Sequence, residues 1–365
     1  MSISRRIKAF ILRELASKKP NDFDIHNAKN VLFLRYDRIG DMVITTPVFR
    51  ELKIAYPHIS ITVLASKVNQ NVLLNNPYID NIVTNHKNNL LSDLPSLLKL
   101  RKQKFDVCIE FDHSVIPHAI IRLKIINPKK IISVRKNGRY GVNGSELPLY
   151  DYYTEKPNDA HFRDIWLATL KPLGIKIKSN SYDLFITNTQ QKQVQNFIKQ
   201  YSSKFLVGIN LEGAVKGKKI KYTELWKICQ GLYKVNNNIQ IIIITTPDNL
   251  QNVSKKLEGQ SLDYITVSYK TNTILDVAAL IQQLDLIITP DTSIVHIASA
   301  FNIPIVTIHE GNQDSYQLFA PISKQSRTVF SNSVNSLAGY SVHQVIEFSN
   351  SVIDTISREI KHAKL

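Results

Sequence analysis

Asp41 lies in the stretch LRYDRIGDMVITTP, Leu34 to Pro47, between an apolar strand-like run and a helix-like run. A carboxylate at such a junction can take a proton from a substrate hydroxyl as general base. It can equally cap the helix that follows. A third arrangement caps with Thr46 and puts Pro47 in the first helical position. Gly40 allows a tight bend or the close approach of a ligand. Arg35 and Arg38 flank the carboxylate, either as contacts for an acceptor substrate or as ordinary surface and ion-pair arginines.

A second group stands in ITPDTSIVHIASA, residues 288–300. Asp291, Thr292 and Ser293 open a helix whose free N-terminal amides and dipole favour phosphate, and the two hydroxyls add donors. Asp291 would repel a phosphate and reads as a cap or loop anchor. His296, one turn on, is a donor contact or an interior histidine. In NLEGAVKGKKIKYTELW, residues 210–226, Gly213 and Gly217 permit close backbone approach. Lys216, Lys218, Lys219 and Lys221 there offer charge for a leaving diphosphate, or form a solvated basic loop. Asp248, in TTPDNL, can accept from ribose hydroxyls or serve as a turn residue. Asp112, His113 and Ser114 are sequence neighbours that point apart, so they are no triad. They do end a strand, where an acceptor would bind.

These loops need elements to hold them. In the first half VLFLRY, SITVLA, NIV, FDVCIEF and KIISV read as strands, with helices over 47–55 and LPSLLKLRKQ. Residues 135–160 read as a long loop, and HFRDIWLATLKPLGI as a helix. After a polar stretch at 175–190 the alternation resumes. FLVGINL, IQIIIIT, DYITVS, LDLIIT and PIVTIH are strands; YTELWKICQGLYKV and SIVHIASAF are helices. Short apolar strands separated by helices predict an α/β chain with two doubly wound, Rossmann-like parallel sheets facing a central cleft. The expected division is a basic amphipathic arm at 1–29, domains at 30–180 and 181–340, and a closing helix at 341–365. Ligands of such sheets bind outside the carboxyl ends of the strands.

Lys plus Arg is 46 and Asp plus Glu is 30, a net charge of +16 that suits an acidic partner: nucleic acid, anionic lipid or a phosphorylated substrate. With 43% apolar and 21% charged residues the chain is of globular and not disordered type. No apolar run approaches the ~20 residues of a membrane span, and the basic N-terminus lacks the apolar core of a signal peptide, so the chain reads as cytoplasmic. In residues 1–20, Ile3, Ile7, Phe10, Ile11 and Leu15 share one helical face among basic residues. That helix either lies on an anionic membrane or packs on its own domain. Two cysteines, Cys108 and Cys229, exclude a disulfide framework or a zinc site and read as buried hydrophobes. The D-x-D at Asp22 and Asp24 precedes the first strand and is discounted as a cation site. Neither a dinucleotide fingerprint nor a P-loop is present, which argues against dehydrogenase and NTPase chemistry.

LFLRYDRIGDMVITTPVFRELK resembles the opening motif of glycosyltransferase family 9, the ADP-heptose:lipopolysaccharide heptosyltransferases. ITPDTSIVHIASAFNIPIVTIHEG, followed by FAP at 319–321, resembles that family's carboxyl-terminal motif, and the likeness spans residues 30 to 325. It implies a GT-B fold, an ADP-heptose donor, an acceptor in the lipopolysaccharide core, and inversion at the anomeric carbon without a metal or other cofactor. It implies Asp41 as base, Asp291, Thr292 and Ser293 at the phosphates, His296 beside them and a ribose-binding acid near Asp248. The family's lysine lies seven residues before a helical tryptophan, which selects Lys219 before Trp226, with Lys218 as the alternate. Lys221 and Tyr222 stand where the family usually has Trp-Pro. Such an enzyme would work in the cytoplasm, peripheral to an anionic inner-membrane surface, and would need no nucleic acid. The competing expectations are a GT-B enzyme using another nucleotide sugar for surface polysaccharide, and a non-catalytic, basic nucleic-acid-binding protein.

Overall fold

The structure, a computed structural model, describes residues 3–85, 89–139, 141–144, 147–157, 159–213, 217–260 and 262–362. It divides into two compact units, Met1–Asp183 and Leu184–Leu365. Each unit holds one six-stranded sheet in which all pairings are parallel. The first contains β1 (Asn30–Leu34), β2 (Ser60–Ser66), β3 (Asn81–Asn85), β4 (Val107–Glu110), β5 (Lys130–Val134) and β6 (Tyr152–Thr154), in the order β3-β2-β1-β4-β5-β6. The second contains β7 (Phe205–Asn210), β8 (Ile239–Ile244), β9 (Ile265–Val267), β10 (Leu286–Pro290), β11 (Ile305–His309) and β12 (Ser326–Phe330), in the order β12-β11-β10-β7-β8-β9.

Both sheets therefore share one doubly wound order, whose direction of winding reverses between the first and fourth strands. The reversal lies between β1 and β4 in one unit and between β7 and β10 in the other. Register follows: Leu34 pairs with Glu110, and Ile209 with Ile288. The loops leaving these strands start side by side, at the place where such sheets bind ligands.

Strand composition follows layer position. β8 is IQIIII and wholly buried, as a strand covered on both faces must be. The edge strands β3 and β12 expose part of their length. Two departures from expectation bear on the first unit's site. Residues 135–160 are not all loop: β6 pairs Tyr152 with Ile132. The helix expected at 47–55 is α2 (Ile39–Ala55) and starts at Ile39, with Pro47 inside it. Proline cannot donate to the carbonyl four residues back. Thr46 Oγ1 donates to that Val43 carbonyl instead, at 2.7 Å, and so the helix continues through the proline. Asp24 caps a short turn by accepting from the His26 N–H at 3.0 Å. Among the described residues no three His, Cys, Asp or Glu side chains converge to hold a metal.

Candidate active site

In the first unit the site is built where β1 meets α2. Asp41 is the third residue of α2, and its Oδ2 accepts from the Arg38 backbone N–H at 3.3 Å. The capping reading is thus correct in part. The side chain keeps 17% exposure, and Oδ1 faces Arg35 Nη2 at 3.7 Å. Asp41 is held on both sides and still open to a ligand. The helix start itself is exposed at Arg38.

Arg35, expected as an acceptor contact or a surface arginine, is buried, its side chain only 3% exposed. Nε and Nη2 donate to the Asp41 carbonyl, each at 3.3 Å, and Nη1 donates to Asp37 Oδ2 at 3.1 Å. Its Cζ lies 3.8 Å from the centroid of the Trp166 ring. A planar guanidinium makes this fork-and-stack arrangement; an ammonium does not. Arg35 therefore fixes the turn that presents Asp41.

Trp166 lies on α5 (Phe162–Leu167) and links the turn to the end of β4. Its Nε1 donates to His113 Nε2 at 3.2 Å, and Phe162 stacks on the histidine with centroids 4.1 Å apart. Burial, helped by the Lys156, Arg35 and Lys136 cations, pushes the His113 pKa down to about 2. The ring is neutral and, with Nε2 accepting, carries its proton on Nδ1. That N–H has no hydrogen-bond partner among the described residues. Beside it, burial and the Glu110 and Asp37 carboxylates raise the pKa of Asp112 well above the usual range. Buried Lys136 Nζ donates to Glu110 Oε2 at 2.5 Å, Ser133 Oγ at 2.8 Å and the Asp112 carbonyl at 2.5 Å. Lys136 thus pins the loop after β4 to the loop after β5. Sequence reasoning missed it because it falls in a segment read as irregular.

In the second unit the site sits where β7 and β10 end. The segment after β7 passes close to α10 (Ser293–Ala300): a Cβ on Gly213 would stand 2.4 Å from Thr292 Cγ2. Any side chain there would have to displace Thr292. Thr292 is the N-cap of α10, its Oγ1 accepting from the Ile294 N–H at 3.3 Å, and Asn210 Nδ2 donates to the same oxygen at 3.3 Å. Ser293, at the first turn, is partly exposed.

Lys218 and Lys219 separate cleanly. Lys218 Nζ donates to Asp291 Oδ2 at 2.5 Å and lies 3.5 Å from Glu310 Oε2, with its side chain 12% exposed. Lys219 is 58% exposed and pairs outward with Glu212 Oε2 at 2.6 Å. The lysine beside the helix start is thus the alternate of the sequence reading. Burial alone would raise the Asp291 pKa, but Lys218 and His309 outweigh it and hold the carboxyl below its usual range. Asp291 orients the lysine. His296 is 4% exposed, and burial pushes its pKa down to about 4, against the pull of Asp291, so it is a neutral ring near pH 7.

Asp248 is exposed in the turn Pro247–Asn249. The acid that gathers hydroxyls nearby is Glu212, whose Oε1 accepts from Thr245 Oγ1, Thr246 Oγ1 and Asn249 Nδ2, each at 3.0 Å. Glu212, His309 and Glu310 were not singled out from sequence. An acidic residue just past a strand-like run is the signal Glu212 and Glu310 carried; His309 is the last residue of β11. Lys216 lies outside the described residues.

The sequence model of glycosyltransferase family 9 (heptosyltransferase) matches residues 97–341. The lipopolysaccharide core heptosyltransferase OpsX of Haemophilus influenzae is 23% identical over 284 residues, 77% of this chain and 79% of that protein. A family 9 glycosyltransferase from Veillonella parvula superposes with a TM-score of 0.74 at 19% identity, covering 92% of this chain and 99% of that one. The heptosyltransferase WaaC of E. coli, solved with ADP, gives 0.69 at 14% identity, covering 88% and 99%. The structural likenesses establish the GT-B type of paired Rossmann-like sheets. The family match spans more than half of the sequence, and the chain belongs to glycosyltransferase family 9, the heptosyltransferases.

Proposed function

We propose that this enzyme moves heptose from ADP-heptose to the lipopolysaccharide core, with inversion and without a metal, at the cytoplasmic face of an anionic inner membrane. Asp41 takes the proton of an acceptor hydroxyl as that oxygen bonds to the anomeric carbon. The bond from that carbon to the diphosphate breaks, and negative charge collects on ADP. Lys218, the amides at the start of α10 and the Thr292 and Ser293 hydroxyls receive this charge. Fixed donors aimed at developing charge are the largest catalytic contribution available to such a site. His296, neutral, adds a hydrogen-bonding ring rather than a charge. On the acceptor side Arg38, Asp112 and the unpaired Nδ1–H of His113 line the same strand ends as Asp41. Asp248, beside the Glu212 cluster, is assigned to the ribose.

One observation carries this reading: a cation and a capped helix start converge at the strand-order reversal of the second unit, inside the span matched by the family. Asp41 lies outside that span, so its role rests on its position and its two supports. The test offers the enzyme ADP-heptose, UDP-sugars and truncated lipopolysaccharide acceptors. Transfer from ADP-heptose with inverted configuration is expected. Transfer only from a UDP-sugar, or retention of configuration, overturns the proposal.

A further inference from the structure

Helix α1 (Ile3–Leu15) leaves three large residues of its apolar face, Ile7, Phe10 and Ile11, out of the core, while Leu15 packs against it. It packs on the first unit through Ala9 and Leu12, with Ala16 just beyond it. Ile7, Phe10 and Ile11 turn outward, Phe10 64% exposed. Helix α3 (Leu90–Lys102) repeats the pattern. Leu97 and Leu100 face the core, while Leu91, Leu94 and Leu98 form an exposed stripe at helical spacing, Leu91 84% exposed.

The two helices belong to one layer. Both sit with α4 (Pro117–Ile126) over the same core, which includes Leu32 and Leu34 of β1 and Cys108 of β4. Lys124 of α4 donates to the Ser17 carbonyl beyond α1 at 2.6 Å, and Arg101 of α3 donates to the Ile125 carbonyl of α4 at 3.1 Å. Residues opposite the core in this layer therefore face outward together.

The charge on this layer has one sign. Arg6, Lys8, Arg13, Lys99, Arg101 and Lys102 are exposed along α1 and α3. Among the described residues of the three helices Glu14 is the one exposed carboxylate; Asp93 is buried against Arg122 at 2.9 Å. Exposed leucine, isoleucine and phenylalanine rimmed by cations fit a bilayer surface: the apolar groups enter the headgroup boundary while Lys and Arg reach anionic headgroups. Nucleic acid would use the cations and leave the apolar stripes in water. Among the described residues no helix is long and apolar enough to cross a membrane.

We propose that the α1–α4–α3 layer docks the protein on an anionic lipid surface, with Phe10, Ile11, Leu91 and Leu98 as the inserted groups. This deepens the proposed function, on which it rests, by naming the face that meets the membrane carrying the acceptor.

The test is flotation of the full chain with phosphatidylglycerol–phosphatidylethanolamine vesicles and with phosphatidylcholine vesicles. The wild type is expected to float with the anionic vesicles only, less so at high salt. Phe10→Gln/Ile11→Gln and Leu91→Gln/Leu98→Gln should each lower partitioning roughly tenfold. These residues are already in solvent and glutamine suits helices, so both variants should keep wild-type transfer to a detergent-dispersed acceptor. Absence of flotation, equal partitioning to neutral vesicles, or variants that float like the wild type overturn the inference. Retention of duplex DNA at physiological salt, unchanged by the glutamine pairs, together with absent flotation, would assign the layer to nucleic acid. Flotation that needs both stripes, with no heptose transfer to any acceptor, would sink the enzymatic reading and leave the docking face standing.

Discussion

Lys218 Nζ lies 2.5 Å from Asp291 Oδ2, whereas its neighbour Lys219 turns outward to Glu212. The carboxylate holds the inner lysine at the start of α10, where it can meet a diphosphate. Lys218→Met should therefore lower kcat/KM for the donor by roughly 100-fold, the scale of losing one preorganised charge partner. Lys219→Met should change it less than about tenfold, because Lys219 pairs with Glu212 and not with Asp291 before α10. Steady-state kinetics on the two variants decides between the lysines, and the opposite ranking would return the role to Lys219.

Arg35 supports Asp41 without facing the ligand. Arg35→Lys keeps the charge but loses the fork to Asp37 and the Asp41 carbonyl and the stack on Trp166. Turnover should fall by at least about tenfold, with donor KM little moved, because the base is misplaced and the donor site is not touched. A variant that raises acceptor KM alone would make Arg35 a binding residue after all.

Acid should weaken the second unit through His296. Its pKa is pushed down to about 4 when folded, against an ordinary 6.5. Below about pH 6.5 the unfolded chain takes up a proton that the folded one refuses, so stability falls as pH drops and stops falling near the folded value. Within that window the slope approaches roughly 1.4 kcal/mol per pH unit. His296→Gln should flatten the acid limb of denaturant midpoints measured between pH 7 and 5. His113, pushed down to about 2, acts in the same direction in the first unit.

Thr46 Oγ1 replaces the hydrogen bond that Pro47 cannot make to the Val43 carbonyl. Thr46→Val preserves shape, leaves that buried carbonyl unbonded and also removes the acceptor of the Asp183 N–H at 2.9 Å, so it should cost at least about 1–3 kcal/mol in unfolding experiments. Thr46→Val/Pro47→Ala restores an N–H at position 47 and should recover part of the loss. No recovery would show that the loss comes from the Asp183 hydrogen bond and not from the Val43 carbonyl.

Much of this was legible in the residues. The interior strands announced themselves because a doubly covered sheet needs unbroken apolar runs such as IQIIII. Thr292 and Ser293 could be placed at a helix start, and Gly213 at a close backbone approach, because their chemistry is local. The start of α2 was misplaced, since Pro47 normally opens helices and nothing in a linear pattern shows a threonine taking over its hydrogen bond. The burial of Arg35, the choice of Lys218 over Lys219 and the pinning by Lys136 depend on contacts between strand ends far apart in sequence. No local spacing encodes those contacts.

The central claim is that Asp41 is the base. Asp41→Asn keeps an acceptor for the Arg38 N–H and removes the proton sink. Turnover from ADP-heptose to a truncated lipopolysaccharide acceptor should fall by about 100- to 10,000-fold, with ADP affinity, read by calorimetry, unchanged. Turnover within about threefold of wild type would contradict it.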